Sequence, residues 1–132
     1  MNLATWLDRA ARANPAAPAI FHGRAPWASY AELASRAAAV AGALRAQLAP
    51  GDRVAIAMRN CPEYLVALYG TWWAGLAAVP VNAKLHAKEI DFIVADSGAR
   101  RVIAEPGEVA RLARGAPIRL AEADPASLAW LF

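Results

Sequence analysis

Trp73-Ala74-Gly75-Leu76-Ala77-Ala78-Val79-Pro80-Val81-Asn82-Ala83-Lys84-Leu85 decides the architecture. An apolar run with large side chains stops at Gly75, a short stretch of small and β-branched residues follows, and an Asn-containing turn closes it. Successive apolar residues, without polar alternation, mark a strand buried on both faces, and that burial belongs to a parallel sheet between helices. Gly75 lets the chain turn tightly between helix and strand. Pro80 sits at the strand end, where its missing N–H costs least. The same region contains 20 residues without a charge, Tyr64 to Ala83, which is the length of a membrane span. Gly70, Gly75 and Pro80 punctuate that run and no basic cluster flags an inside face. A buried helix leading into a buried strand accounts for it, so no membrane span is expected.

Working outward, the pattern repeats. Arg53 to Met58 reads as a strand, Pro62 to Ala74 as a helix and Ala77 to Val81 as the next strand. Lys88 to Ala95 follows as a helix, Arg101 to Ala104 as a strand, Glu108 to Arg114 as a short helix and Ile118-Arg119-Leu120 as a last strand. Strands separated by helices require right-handed crossovers and give an α/β fold, a doubly wound parallel sheet with flanking helices. Upstream, Ser29-Tyr30-Ala31-Glu32 is a capping box opening a helix that runs to about Leu48. Leu33, Ala37, Val40, Leu44 and Leu48 form its apolar stripe, and Pro50-Gly51-Asp52 ends it. Before it, Ala19-Ile20-Phe21 and Ala25-Pro26-Trp27 flank His22-Gly23-Arg24 as an N-terminal β-hairpin. The first element is an amphipathic helix carrying Leu3, Trp6, Leu7 and Ala10, with Thr5 or Asn2 as cap and Asn14-Pro15 as stop. No repeat or linker divides the 132 residues, so one α/β unit is expected.

Composition narrows the function. The hydrophobic fraction of 58% exceeds the usual range, although alanine supplies much of it. The net charge of +3 comes from scattered basic residues and leaves no nucleic-acid footprint. Cys61, the single cysteine, has no partner for an internal disulfide and no ligand set for zinc. Met1 to Arg9 lacks the basic start and unbroken apolar run of a secretory signal, which points to the cytoplasm.

Catalytic motifs are scarce. GxSxG, HExxH, CxxC, GxGxxG and the Walker A loop do not occur. His22 and His86 fall in different elements and read as a turn residue and a helix-start residue. Glu63 and Glu89 open helices, where a carboxylate complements the positive end of the dipole. Trp72 and Trp73 lie on the very apolar helix and read as core or interdomain packing. Cys61 precedes Pro62 at a helix start, a place that can lower a thiol pKa, but a lone small buried residue is the preferred reading. No catalytic or metal-binding residue is assigned.

Several blocks, in a fixed order along the whole chain, resemble the adenylate-forming (AMP-binding) superfamily of acyl-CoA synthetases, peptide-synthetase adenylation domains and luciferases. Trp27-Ala28-Ser29-Tyr30-Ala31-Glu32-Leu33 is similar to its early W-T/S-Y-x-E-L signature. Gly51-Asp52-Arg53-Val54-Ala55-Ile56 follows, then Asn60-Cys61-Pro62-Glu63-Tyr64. The opening block resembles the family's x-A-G-x-x-x-V-P-L/V-N-x-R/K-L segment, and Asp96-Ser97-Gly98-Ala99-Arg100 its D-S-G-A-R/K turn. The resemblance implies the N-terminal portion of the AMP-binding large domain, an incomplete N-terminal subdomain over residues 1–132. The phosphate loop would lie directly after Leu128-Ala129-Trp130-Leu131-Phe132, and the C-terminal lid domain later still. The apolar end Trp130-Leu131-Phe132 also suggests a chain meant to continue.

By the same resemblance, the parent enzyme activates a carboxylic acid with ATP and magnesium and passes the acyl group from the adenylate to CoA. The chain alone would lack the catalytic residues, and its partners would be the acid, CoA and the rest of its own polypeptide. In some CoA-using relatives the basic residue of the N-x-R/K-L turn meets CoA phosphates. Here that residue is Lys84, and a solvated surface lysine is the competing reading. Lys84 replaces the commoner Arg and lacks its bidentate fork. Asn82-Ala83-Lys84-Leu85-His86 is closer to fatty, aryl and related acyl-CoA synthetases than to peptide-synthetase domains. A free-standing α/β binding module descended from such a domain is the alternative reading. A membrane-associated protein using residues 64–83 is a third.

Overall fold

The structure, a computed structural model, describes residues 2–124, 126–129 and 131. Ten elements follow in order: α1 (Thr5–Ala13), β1 (Pro18–His22), β2 (Ala25–Ser29), α2 (Tyr30–Arg45), β3 (Arg53–Ile56), α3 (Pro62–Trp73), β4 (Ala77–Pro80), α4 (Ala87–Ser97), β5 (Arg101–Ile103) and α5 (Pro106–Leu112). β1 and β2 form the antiparallel hairpin, while β3 lies between β4 and β5 in a parallel sheet. Arg53 pairs with Ala77 and Ile56 with Pro80 on one side, and Val54 with Arg101 and Ile56 with Ile103 on the other.

Side-chain alternation in β3 divides the core. Val54 and Ile56 turn toward the large core that holds Ala78, Ile103, Val40 and Leu44 of α2, Val66 and Trp73 of α3 and Val109 of α5. Ala55 and Ala57 turn the other way, with Val79 and Val81, against Ile90, Ile93 and Val94 of α4. Successive crossovers therefore place α3 on one face and α4 on the other, which is the double winding that the continuous apolar strands require. Val54, Ala55 and Ile56 are all fully buried.

α2 starts where its capping box predicts. Ser29 Oγ accepts from the Glu32 N–H at 3.1 Å and Glu32 Oε1 accepts from the Ser29 N–H at 3.1 Å. The hairpin turn is one residue tighter than expected: His22 pairs with Ala25, leaving Gly23-Arg24 as the turn, with Gly23 at φ +63°. α1 has Ala4 as its N-cap residue and no side-chain cap. Thr5 is inside the helix, and Asn2 Oδ1 instead accepts from the Ala4 N–H at 2.9 Å. Trp6 does not join the buried stripe and is 58% exposed.

Ile118-Arg119-Leu120 forms no strand. Its alternation is real, with Ile118 and Leu120 half-buried and Arg119 exposed, but its backbone meets helices. The Ile118 N–H donates to the Ala38 carbonyl of α2, and the Ile118 carbonyl accepts from Trp73 Nε1 at 2.9 Å. Further on, Ala78 N–H donates to Ala129 O at 2.8 Å and Leu131 N–H to Ala78 O at 3.0 Å, so the chain runs parallel to β4 along its outer edge. Leu131 is half-buried against the α4 side of the sheet, whereas Trp130 and Phe132 lie outside the described residues. Among the described residues no helix is long and apolar enough to cross a membrane.

Candidate phosphate-binding cleft

In a parallel sheet all strands end on the same side, and the loops leaving those ends form the crevice where open α/β sheets place ligands. Here β3 and β4 end side by side, because Ile56 is in register with Pro80. The loops that follow enclose a cleft of about 790 Å³. Met58, Pro80 and Val81 supply its apolar lining, and Arg59, Asn60, Tyr64, Asn82 and Lys84 its polar groups. Met58 and Val81 are buried and fixed by the sheet beneath, whereas Arg59, Asn60, Asn82 and Lys84 are exposed.

The loop carrying Lys84 is held locally. Asn82 Oδ1 accepts from the Lys84 N–H at 2.9 Å and Asn82 O from the Leu85 N–H at 3.2 Å, an Asx-type turn. Across the cleft, Arg59 leaves the end of β3 just before Cys61, the N-cap residue of α3. Among the described residues neither Lys84 nor Arg59 forms an ion pair with an acid, the pairs being Arg12–Asp8, Arg36–Glu32 and Arg101–Glu108. Among the described residues no Asp or Glu lines the cleft. Burial pushes the Tyr64 phenol above its ordinary pKa, so it remains a hydrogen-bond donor. Two uncompensated cations, two amides and a phenol over an apolar floor can bind and orient an anion.

The other singled-out residues settle elsewhere. His86 caps α4: its Nδ1 accepts from the Lys88 N–H at 3.2 Å, and Glu89 Oε2 accepts from the His86 N–H at 3.0 Å. Glu63 sits in the first turn of α3 and lines a separate cleft with Trp27, Arg36 and Val109. Cys61 is half-buried, and burial raises its thiol pKa, so the helix start does not activate it. Trp72 and Trp73 are buried, 6% and 7% exposed, and their indole N–H groups donate to Ala129 O and Ile118 O. They pack and clamp the C-terminal segment. Lys84 was visible in the sequence, whereas Arg59 and Tyr64 were not singled out. Arg59 had one usable signal, its place directly after a buried parallel strand.

Fold and cleft together define an α/β protein with a crevice at its strand ends that Arg59 and Lys84 line. The chain belongs to the AMP-binding enzyme family, whose model matches residues 7–129. It is 43% identical over 122 residues to feruloyl-CoA synthase of an Amycolatopsis species, covering 89% of this chain and 25% of that protein. Against a long-chain-fatty-acid–CoA ligase of Mycobacterium tuberculosis it is 44% identical over 80 residues, covering 61% of this chain and 16% of that one. The crystal structure of the N-terminal domain of FACL13 from Mycobacterium tuberculosis superposes with a TM-score of 0.74 at 30% identity, covering 99% of this chain and 33% of that one. The chain thus spans about a quarter of the length of the first of these curated relatives.

Proposed function

We propose that the chain is the N-terminal portion of the AMP-binding large domain of an ATP-dependent acyl-CoA synthetase. In this reading the parent polypeptide converts a carboxylic acid to its adenylate and then to an acyl-CoA. The observation that carries it is the 43% identity to a feruloyl-CoA synthase across nearly the whole chain. The double winding around β3 and the cleft at the strand ends agree with it.

Within this reading Lys84 contacts a CoA phosphate. A lysine on an ordered turn, with no acid to neutralise it, is a point charge that an entering phosphate can use. ATP and CoA both bring phosphates that match the donors of the cleft. Magnesium does not match them, since among the described residues no carboxylate lines the cleft, and protein sites for this ion commonly supply one or two carboxylates. The metal would be held by groups beyond this set. Asn82 fixes the turn, Tyr64 offers a proton to an oxygen, and Met58 and Val81 exclude water from the cleft floor.

The test is acid-dependent ATP–pyrophosphate exchange by the polypeptide that carries these residues, followed by CoA thioester formation with aryl and fatty acids. Thioester formation with either class supports the synthetase. Absence of exchange with every acid, while CoA binding persists, would replace it with the binding-module reading. In the active polypeptide, Lys84→Ala should raise the KM for CoA about fivefold, the loss of roughly 1 kcal/mol expected for one charged contact at a partly solvated site. An unchanged KM would remove Lys84 from the site.

A further inference from the structure

We infer that Arg59 is the second phosphate-binding residue of this cleft, and that it and Lys84 together grip a ligand carrying more than one phosphate group. The inference rests on the CoA-synthetase reading and extends it to a residue and a ligand feature that the reading does not contain.

Three observations carry it. First, the paired register of Ile56 and Pro80 places Arg59, three residues beyond β3, and Lys84, four residues beyond β4, on loops that rise from neighbouring strands. Neighbouring strands are separated by about 4.8 Å, so the two loops face one volume, and both residues line it. Second, Arg12, Arg36 and Arg101 pair with acids and Arg45 and Arg53 donate to carbonyls, and of the arginines not held in this way Arg59 is, among the described residues, the one that lines this cleft. Arg59 is exposed and makes no such bond among the described residues. Third, among the described residues no carboxylate lines the cleft, so no acid competes there with a ligand's phosphates. A chain of phosphates carries more negative charge and more acceptor oxygens than one phosphate, so two cations lining one cleft suit a ligand with several phosphate groups, as in a nucleotide diphosphate or triphosphate. Arg59 adds what Lys84 lacks, a planar fork that takes two oxygens of one phosphate at once.

The chemistry is shared by CoA and ATP, and the experiment separates them. Calorimetric titrations with CoA and with ATP are made on the full-length protein and on its Arg59→Ala, Arg59→Lys and Lys84→Ala variants. Because Arg59 is exposed, the variants should melt within a few degrees of the parent protein, and Arg59→Gln provides a second neutral replacement.

Arg59→Ala should weaken CoA binding roughly fivefold to tenfold, with Arg59→Lys recovering part of the loss, as expected for one charge-assisted contact. Its effect should shrink as ionic strength rises from about 0.01 to 0.15 M, where the Debye length falls from about 30 to 8 Å. A loss confined to ATP would keep Arg59 as a phosphate residue and assign it to the adenylating nucleotide. If Lys84→Ala weakens CoA binding and both neutral Arg59 variants leave CoA and ATP unaffected, the Arg59 inference falls and the Lys84 reading stands. If the parent protein binds neither ligand, or no variant changes either affinity, both fall.

Discussion

Gly42 and Gly70 occupy helix interiors, where alanine is the better residue by about 1 kcal/mol. Both are explained by what surrounds them. A Cβ on Gly70 would lie 2.6 Å from Val40 Cγ1, and one on Gly42 would strike the carbonyl of Ala116. Glycine at 70 lets α3 sit against α2, and glycine at 42 admits the segment after α5. Gly70→Ala should therefore destabilise the protein by about 1–3 kcal/mol despite its helical advantage, because overpacking outweighs propensity. Urea unfolding reads the effect, and a stabilised variant would mean that Val40 yields freely. Residue identities of this kind are poorly legible in a sequence: a glycine in an apolar helix looks like a weak point until its neighbour is known. Lys84 is a candidate in the sequence only through the resemblance of its N-x-R/K-L turn, and the structure adds that it lines the cleft. Arg59 has a weaker signal, its place just after a buried parallel strand, and that place alone does not reveal that a second basic loop faces it.

Among the elements, those with local chemistry were the easiest to foresee. The Ser29–Glu32 box fixed the start of α2, and buried apolar runs located β3, α3 and β4. The element misread, Ile118 to Leu120, has true period-two burial, but Trp73 and Ala38 satisfy its backbone, and alternation alone does not reveal the partner. The capping box also predicts a pH response. The Ser29 backbone N–H, then its hydroxyl, hold the Glu32 carboxyl below its ordinary value of 4.5, with the Arg36 charge a lesser aid. A depressed folded-state pKa means that the unfolded chain binds the proton more readily, so stability rises with pH through this window. The contribution is complete above the ordinary Glu range and disappears as pH falls through the folded-state value. The stability gap between the parent protein and Glu32→Gln should accordingly be widest near neutral pH and narrow on acidification; a gap independent of pH would refute it. Ser29→Ala removes the hydroxyl cap and should cost about 1 kcal/mol at neutral pH in the same unfolding assay.

For the molecule as a whole, the double winding was readable because parallel strands buried on both faces leave no other economical arrangement. The closure of the C-terminal segment was not readable. It depends on two adjacent indoles, each donating to a carbonyl far along the chain, 57 residues away for Trp72 and 45 for Trp73. Trp73→Phe keeps the aromatic packing but leaves the Ile118 carbonyl without that donor, at a cost of about 1–3 kcal/mol. Amide exchange should report it most sharply at Ala121, whose N–H donates to Trp73 O at 3.0 Å. Unchanged protection there would show that the clamp is held by other contacts.

Asn2 gives this closure a temporal meaning. Its side-chain amide donates to Trp72 O, and also to Ala121 O at 2.9 Å, 119 residues later. On a ribosome adding about 5–20 residues per second, the second acceptor appears roughly ten seconds after the donor. Contacts so distant in sequence bear the full loop-closure cost before they return anything. Asn2 thus completes its pair of bonds only after the segment carrying Ala121 has been made, well after Trp72 has become available.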